Sequence, residues 1–222
     1  QALTKARADE INAIAKKHVT ISALAYYPNT LDPDLEKREA YIRHLRMLID
    51  AAQLLGVGLV TTFLGRVPQW TVSRNLEEVK SVWPAILDYA AEKGVRIAIE
   101  NCPMLFTEDE WPGGQNLMTS PATGERSLRY CPMKIWASTT THSHFIWQQI
   151  DYIAIYEFRD KIFHVHYKDI KLYPEKLADV GTMATPLEYM SPKLPGWVMW
   201  LGPDVSALTD IGYQGDTCIE IE

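Results

Sequence analysis

Apolar positions alternate along this chain between short dense runs and longer stretches at helical spacing. Residues 6–17 are amphipathic and read as a helix, and 19–26 form an extended apolar run closed by Pro28, Asn29 and Pro33. Over 34–55, Tyr41, Ile42, Leu45, Leu48, Ile49, Ala52 and Leu55 fall at helical spacing, and Gly56 stands where a helix C-terminal glycine belongs. The unit then repeats, with a β-branched and aromatic strand over 57–64, an amphipathic helix over 76–93 stopped at Gly94, and a strand over 95–100. After a long irregular stretch, 145–159 reads as a helix, 161–167 as a strand, 205–211 as a helix and 217–221 as a last strand.

Strand and helix in alternation specify a parallel sheet covered by helices, which an open doubly wound sheet and a closed barrel both satisfy. Side-chain phase separates them. In Ile97-Ala98-Ile99-Glu100 and Cys218-Ile219-Glu220-Ile221 the large aliphatics share one face, and the acids share the other with small residues. Phe163-His164-Val165-His166 puts both histidines on the acid face. Three strands that aim acids or imidazoles inward at their C-terminal ends suit a (β/α)8 TIM barrel with its active site on that rim. Such barrels usually run to about 250 residues, and this chain opens on what looks like the helix after strand one. The expectation is one barrel domain over residues 1–222 that lacks strand 1 in this sequence.

Composition narrows the function classes. The chain has 222 residues, 47% hydrophobic and 23% charged, which fits one globular core. No stretch reaches the roughly 18 consecutive apolar residues of a membrane span, and a formal net charge of -6 disfavours a nucleic-acid surface. Cys102, Cys131 and Cys218 are an odd number without close pairing, so a reducing, cytoplasmic setting is expected. The expected partner is a small molecule, with no nucleic acid and no membrane.

Four residues carry the candidate chemistry. Glu100 ends a strand too apolar for a casual surface charge, so it is paired, protonated or metal-bound; Lys168 is the natural partner for a plain salt bridge. His164 and His166 project to the same side about 6–7 Å apart at the backbone. They suit one metal ligand, His166, and one neighbour in its outer shell or on the substrate, His164. Glu220 is either a frayed terminal acid or an inward carboxylate, and the apolar company in Cys-Ile-Glu-Ile-Glu favours the second. Two carboxylates and an imidazole suit a divalent metal, Mn2+ first, with Mg2+, Co2+ or Zn2+ as alternatives.

At these residues the sequence resembles the xylose-isomerase-like sugar isomerase and epimerase superfamily. The blocks that carry the resemblance are 95–104 (VRIAIENCPM), 143–168 (SHFIWQQIDYIAIYEFRDKIFHVHYK) and 211–220 (IGYQGDTCIE). The resemblance implies a (β/α)8 barrel whose metal is held by Glu100, His166 and Glu220, with Glu100 and Glu220 as the catalytic acid/base pair. It makes His144 a substrate contact and sets Lys168 at a polar position just past the metal histidine. The motif's metal aspartate is absent, since the chain reads Thr141-His142-Ser143-His144 there, leaving His142 or His144 to complete the sphere or the site with fewer ligands. Residues 102–119, with Trp111 beside Pro112-Gly113-Gly114, form a long rim loop that reads equally as a lid stacking Trp111 on a sugar or as a plain covering loop. The excursion 169–196 is read as a surface for a partner subunit, hence a homo-oligomer.

The expected activity is metal-dependent isomerisation or epimerisation of a sugar, polyol or keto-sugar, by proton transfer at a carbon next to a carbonyl. A metal-dependent lyase or dehydratase on a keto-sugar or inosose, and a non-catalytic barrel subunit, are the alternatives. An abasic-site endonuclease, which shares the barrel, is disfavoured by the acidic charge.

Overall fold

The structure, a computed structural model, describes residues 2–103, 114–130, 136–182, 184–193 and 201–220; the side chains of 130, 136–143, 192, 193 and 201 are not among those described. The chain opens on α1 (Lys5–Ala15), followed by the short β1 (Leu24–Ala25) and the long α2 (Leu35–Leu55). Asp34 caps α2 by accepting from the Glu36 and Lys37 N–H groups, and Gly56 closes it at φ 72, as the sequence predicts. Next come β2 (Leu59–Thr62), α3 (Val72–Glu92) and β3 (Arg96–Glu100). The Thr71 hydroxyl accepts from Arg74 N–H, which starts α3 one turn earlier than its apolar periodicity does.

The remainder runs α4 (Pro121–Tyr130), β4 (Trp136–Thr141), α5 (His142–Trp147), α6 (Ile153–Glu157), β5 (Ile162–Tyr167), β6 (Asp169–Leu172), α7 (Pro174–Val180), β7 (Met190–Lys193), α8 (Leu201–Asp210) and β8 (Thr217–Ile219). The single helix expected over 145–159 is two helices. Gln149 takes φ 60 and donates its N–H to Ile146 O, while Ile150 N–H donates to Phe145 O, a left-handed closure that ends α5. Neither α4 nor β4 is visible in the apolar pattern, because Trp136–Thr141 (WASTTT) is mostly small and hydroxylated. The 169–196 excursion holds β6 and β7, paired antiparallel as a separate hairpin.

Six strands form one parallel sheet in the order β1-β2-β3-β4-β5-β8. Among the described residues this is an incomplete (β/α)8 barrel. The outer face of β3 carries Ile97 and Ile99, which join Leu45, Ile49, Trp83, Ile86 and Leu87 of α2 and α3 in the main core. Burying side chains of that size contributes about 1.5–3 kcal/mol each. Val165 of β5 packs with Ile155, Ala207 and Leu208 of the helices in a second cluster, so His164 and His166 fall on the opposite face. Ile219 departs from the expected helix-covered aliphatic face, being 70% exposed, because among the described residues β8 is an edge strand paired with β5 alone. No helix among the described residues is long and apolar enough to cross a membrane.

Candidate active site

Parallel register delivers the polar side chains to one end of the sheet. Glu100 is the last residue of β3, His166 the penultimate residue of β5, and Glu220 follows β8 directly. Pairing sets Thr141 beside His166 and His166 beside Cys218. The C-terminal strand ends thereby bring together Glu100, His166 and Glu220, one donor atom from each lying within 4.8 Å of the others. His166 Nδ1 stands 3.2 Å from Glu220 Oε2 and 3.8 Å from Glu100 Oε1. Glu100 is buried, while the Glu220 side chain keeps 25% of its surface open to solvent.

Electrostatics follow from this crowding. Burial alone pulls the His166 imidazolium down, but hydrogen bonds to Cys218 and Glu220 and the charge of Glu100 outweigh it and push its pKa up to about 10. For Glu220 burial raises the pKa, yet the His166 hydrogen bond and the charges of Lys168, His166 and His144 win, so it is held below the usual carboxylate range. His144, fully enclosed, goes the other way: burial first, then the positive charge of Lys168, lower it to about 3. Its ring is neutral at physiological pH.

The other expected residues divide. His144 Nε2 lies 3.8 Å from Glu100 Oε1, and Lys168 is buried just past β5 with its charge felt at both His144 and Glu220. His164 is perpendicular to His166 with ring centroids 5.2 Å apart, and its Nε2 meets Ser22 Oγ at 3.4 Å. Trp111, Cys131, Glu222 and most of the 102–119 loop lie outside the described residues, as do the side chains of Thr141 and His142.

Two residues at the site escape sequence reasoning. The Tyr27 phenol lies against Glu100; burial and the nearby Glu100 carboxylate raise its pKa, so it keeps its proton, and it also meets Thr61 Oγ1 at 3.0 Å. The buried Asn116 amide ties the rim together. Its Nδ2 donates to Glu100 O at 2.7 Å and to Cys102 O at 2.8 Å, while its Oδ1 accepts from Leu64 N–H at 3.0 Å. Tyr27 has a hint in sequence, following the first apolar run in Tyr26-Tyr27-Pro28; Asn116 has none.

The donor set fits a divalent cation. With metal–ligand bonds of about 2.0–2.2 Å, the edges of a tetrahedral site are about 3.3–3.6 Å, and the observed 3.2 and 3.8 Å bracket them. His166 is protonated between two carboxylates in the absence of an ion, so a cation would take over a charge balance the fold already favours.

Comparison with solved structures finds the same fold at low identity. A 3-keto-D-glucoside 4-epimerase from E. coli superposes with a TM-score of 0.74 at 15% identity, over 98% of this chain and 78% of that one. A D-psicose 3-epimerase from Clostridium cellulolyticum H10 gives 0.70 at 17%, over 99% and 70%. The IolI protein, in a crystal structure with a bound zinc atom, gives 0.73 at 18%, over 96% and 72%. No curated protein matches the sequence. The sequence pattern of the xylose isomerase-like TIM barrel matches residues 1–222, and the chain belongs to that family.

Proposed function

We propose that this protein is a divalent-metal-dependent sugar isomerase or epimerase, with the ion held by Glu100, His166 and Glu220. The observation that carries the reading is the convergence of two carboxylates and an imidazole from three separate strands at the C-terminal rim, within 4.8 Å of one another. Family membership and the fold shared with epimerases support it.

Bound there, a divalent cation supplies positive charge that polarises the sugar carbonyl and acidifies the neighbouring C–H. Glu100 and Glu220 reach the site from β3 and from the end of β8, and in this reading their roles are to take a proton from one face of that carbon and return it on the other. The depressed pKa of Glu220 keeps it ionised and ready to accept. Tyr27 retains its phenolic proton and orients Glu100 as a hydrogen-bond donor. His164 and Lys168 supply the polar contacts to sugar hydroxyls, and Lys168 adds a fixed positive charge where negative charge develops. The acidic chain and the small donor set favour a neutral sugar over a polyanion. Mn2+ is the preferred ion for an oxygen-rich set of this kind.

The test is a screen of ketoses, inososes and keto-glycosides with added Mn2+ in deuterated water. Deuterium incorporation at a carbon next to the carbonyl, abolished by Glu100→Gln with the fold retained, is the expected result. Release of water or of a leaving group instead would assign a lyase. No exchange on any of these substrates by metal-loaded protein would remove the proposal.

A further inference from the structure

Beside the Glu100, His166 and Glu220 cluster stands a second set of donors that shares Glu100 with it and adds two groups the proposed reaction does not use, Cys102 and His144. Glu100, Cys102 and His144 are all buried, and one donor atom from each lies within 4.8 Å of the other two. The backbone that presents the first two is fixed: the single Asn116 amide donates to both the Glu100 and the Cys102 carbonyls, at 2.7 and 2.8 Å. Cys102 lies two residues past the end of β3, and the approach of their donor atoms to within 4.8 Å puts the Glu100 and Cys102 side chains on the same side.

His144 carries the inference. The residue is 6% exposed, yet among the described residues neither Nδ1 nor Nε2 has a hydrogen-bond partner. Buried polar nitrogens are nearly always satisfied, because leaving one unpaired costs about 1–3 kcal/mol. The carboxylate oxygen nearest to it, Glu100 Oε1, is 3.8 Å from Nε2, too far for a hydrogen bond and close to the edge of about 3.3–3.6 Å that a tetrahedral ion with bonds of about 2.0–2.2 Å would span. An imidazole that lacks a donor or acceptor but faces a carboxylate and a thiol is placed for an ion between them.

We propose that Glu100, Cys102 and His144 form a second cation site, specific for Zn2+ or a similar thiolate-binding ion, with the Glu100 carboxylate shared between the two sites. A carboxylate has two oxygens and about four lone-pair positions, enough to serve two ions. A thiolate, an imidazole and a carboxylate select Zn2+ over Mg2+ or Mn2+, and three protein donors leave a fourth position open to water or a sugar oxygen. The Cys102 thiol gives its proton to solvent as the ion binds. Its negative charge also compensates for β4, which ends beside His166 in the neutral Thr141. The site rests on the proposed function only through the shared Glu100, and its occupancy does not depend on turnover.

Metal-stripped protein titrated with Co2+ tests this, following the near-ultraviolet thiolate-to-cobalt charge-transfer band, with bound Zn2+ counted by mass spectrometry. The expected result is two ions per chain and a band that Cys102→Ser abolishes together with one of the ions, while Cys218→Ser leaves the band in place. His144→Gln weakens the thiolate-bound ion by about tenfold or more, with unchanged far-ultraviolet circular dichroism. A single ion and no band in the unaltered protein, or a band that survives Cys102→Ser, overturns the site even if the serine variant folds poorly. Two ions and a Cys102 band without any proton exchange on sugars would instead remove the proposed reaction and leave this site standing.

Discussion

His166 Nδ1 lies 3.2 Å from Glu220 Oε2, joining two neighbouring parallel strands, β5 and β8, at their C-terminal ends. In the metal-free protein this pair is an imidazolium and a carboxylate, with the His166 pKa raised to about 10 and that of Glu220 lowered. The raised histidine contributes stability that is whole below its unfolded value near 6.5 and is lost as pH rises through about 10. The lowered glutamate contributes above the ordinary carboxylate range, and its share is lost as pH falls below it. A cation must displace the His166 proton, so metal affinity should rise about tenfold per pH unit across neutrality. Chelator competition at several pH values measures this, and a flat profile would mean that His166 is not a ligand.

Glu220→Gln keeps the shape of the side chain but removes its charge. Loss of outer-shell partners alone lowers metal affinity about 10- to 100-fold, so loss of a ligand should cost about 100-fold or more, with the fold intact. Isothermal titration with Mn2+ and Zn2+ reads this directly. Affinity unchanged in both would place Glu220 outside the metal sphere.

His144 gives a pH signature of opposite sign. Its folded pKa of about 3 lies below the unfolded value of 6.5, so the unfolded chain binds its proton first. Its contribution to stability is whole above about 6.5 and is lost as pH falls toward about 3, at up to about 1.4 kcal/mol per pH unit. Urea unfolding of metal-free protein between these limits should show a steeper loss in the parent than in His144→Gln. Parallel slopes would show that the buried imidazole titrates normally.

What the sequence made legible tracks how each feature is encoded. Gly56 ends α2 as expected because a left-handed cap is a local, single-residue demand. The inward phase of Glu100, His164 and His166 was readable because a strand with one covered face writes period two into its residues. β4 was not, since Trp136–Thr141 (WASTTT) lies between two other strands and is placed by their hydrogen bonds rather than by its own apolar pattern. The break after α5 depends on a left-handed Gln149, a residue type that gives no warning of it. Asn116 acts through contacts to residues 52 and 16 positions away, and no local window contains both ends of such a link.

Asn116 should therefore be among the least replaceable residues of the rim. Asn116→Leu keeps the volume but leaves the Glu100 and Cys102 carbonyls and the Leu64 N–H without their partner. Each unsatisfied buried group costs about 1–3 kcal/mol, which sums to about 3–9 kcal/mol. Chemical denaturation should show this loss, and the weaker hold on β3 should lower metal affinity in whatever fraction still folds. A loss under about 1 kcal/mol would mean that water replaces the amide.

Gly65 and Gly56 offer a matched pair of substitutions, because both have positive φ, 84 and 72, and only one is crowded. At Gly56 a Cβ would meet nothing within 4 Å, so Gly56→Ala carries only the left-handed strain of about 1–2 kcal/mol. At Gly65 the Cβ would fall 2.7 Å from both Asn29 Oδ1 and Leu31 N, and 2.9 Å from Thr30 N. These atoms cannot yield cheaply: Asn29 Oδ1 accepts from Leu31 N–H and Arg66 N–H, and the Thr30 hydroxyl donates to Leu64 O, which also receives the Trp83 indole N–H. Gly65→Ala must push back the 29–31 turn, whose preceding residues carry Tyr27 onto Glu100. Its cost should exceed that of Gly56→Ala by at least about 2 kcal/mol, from clash added to strain. Proton exchange on substrate should also fall in Gly65→Ala and stay near the parent level in Gly56→Ala. Equal melting temperatures for the two variants would show that the turn relaxes freely and that its contact with Gly65 does not position the phenol.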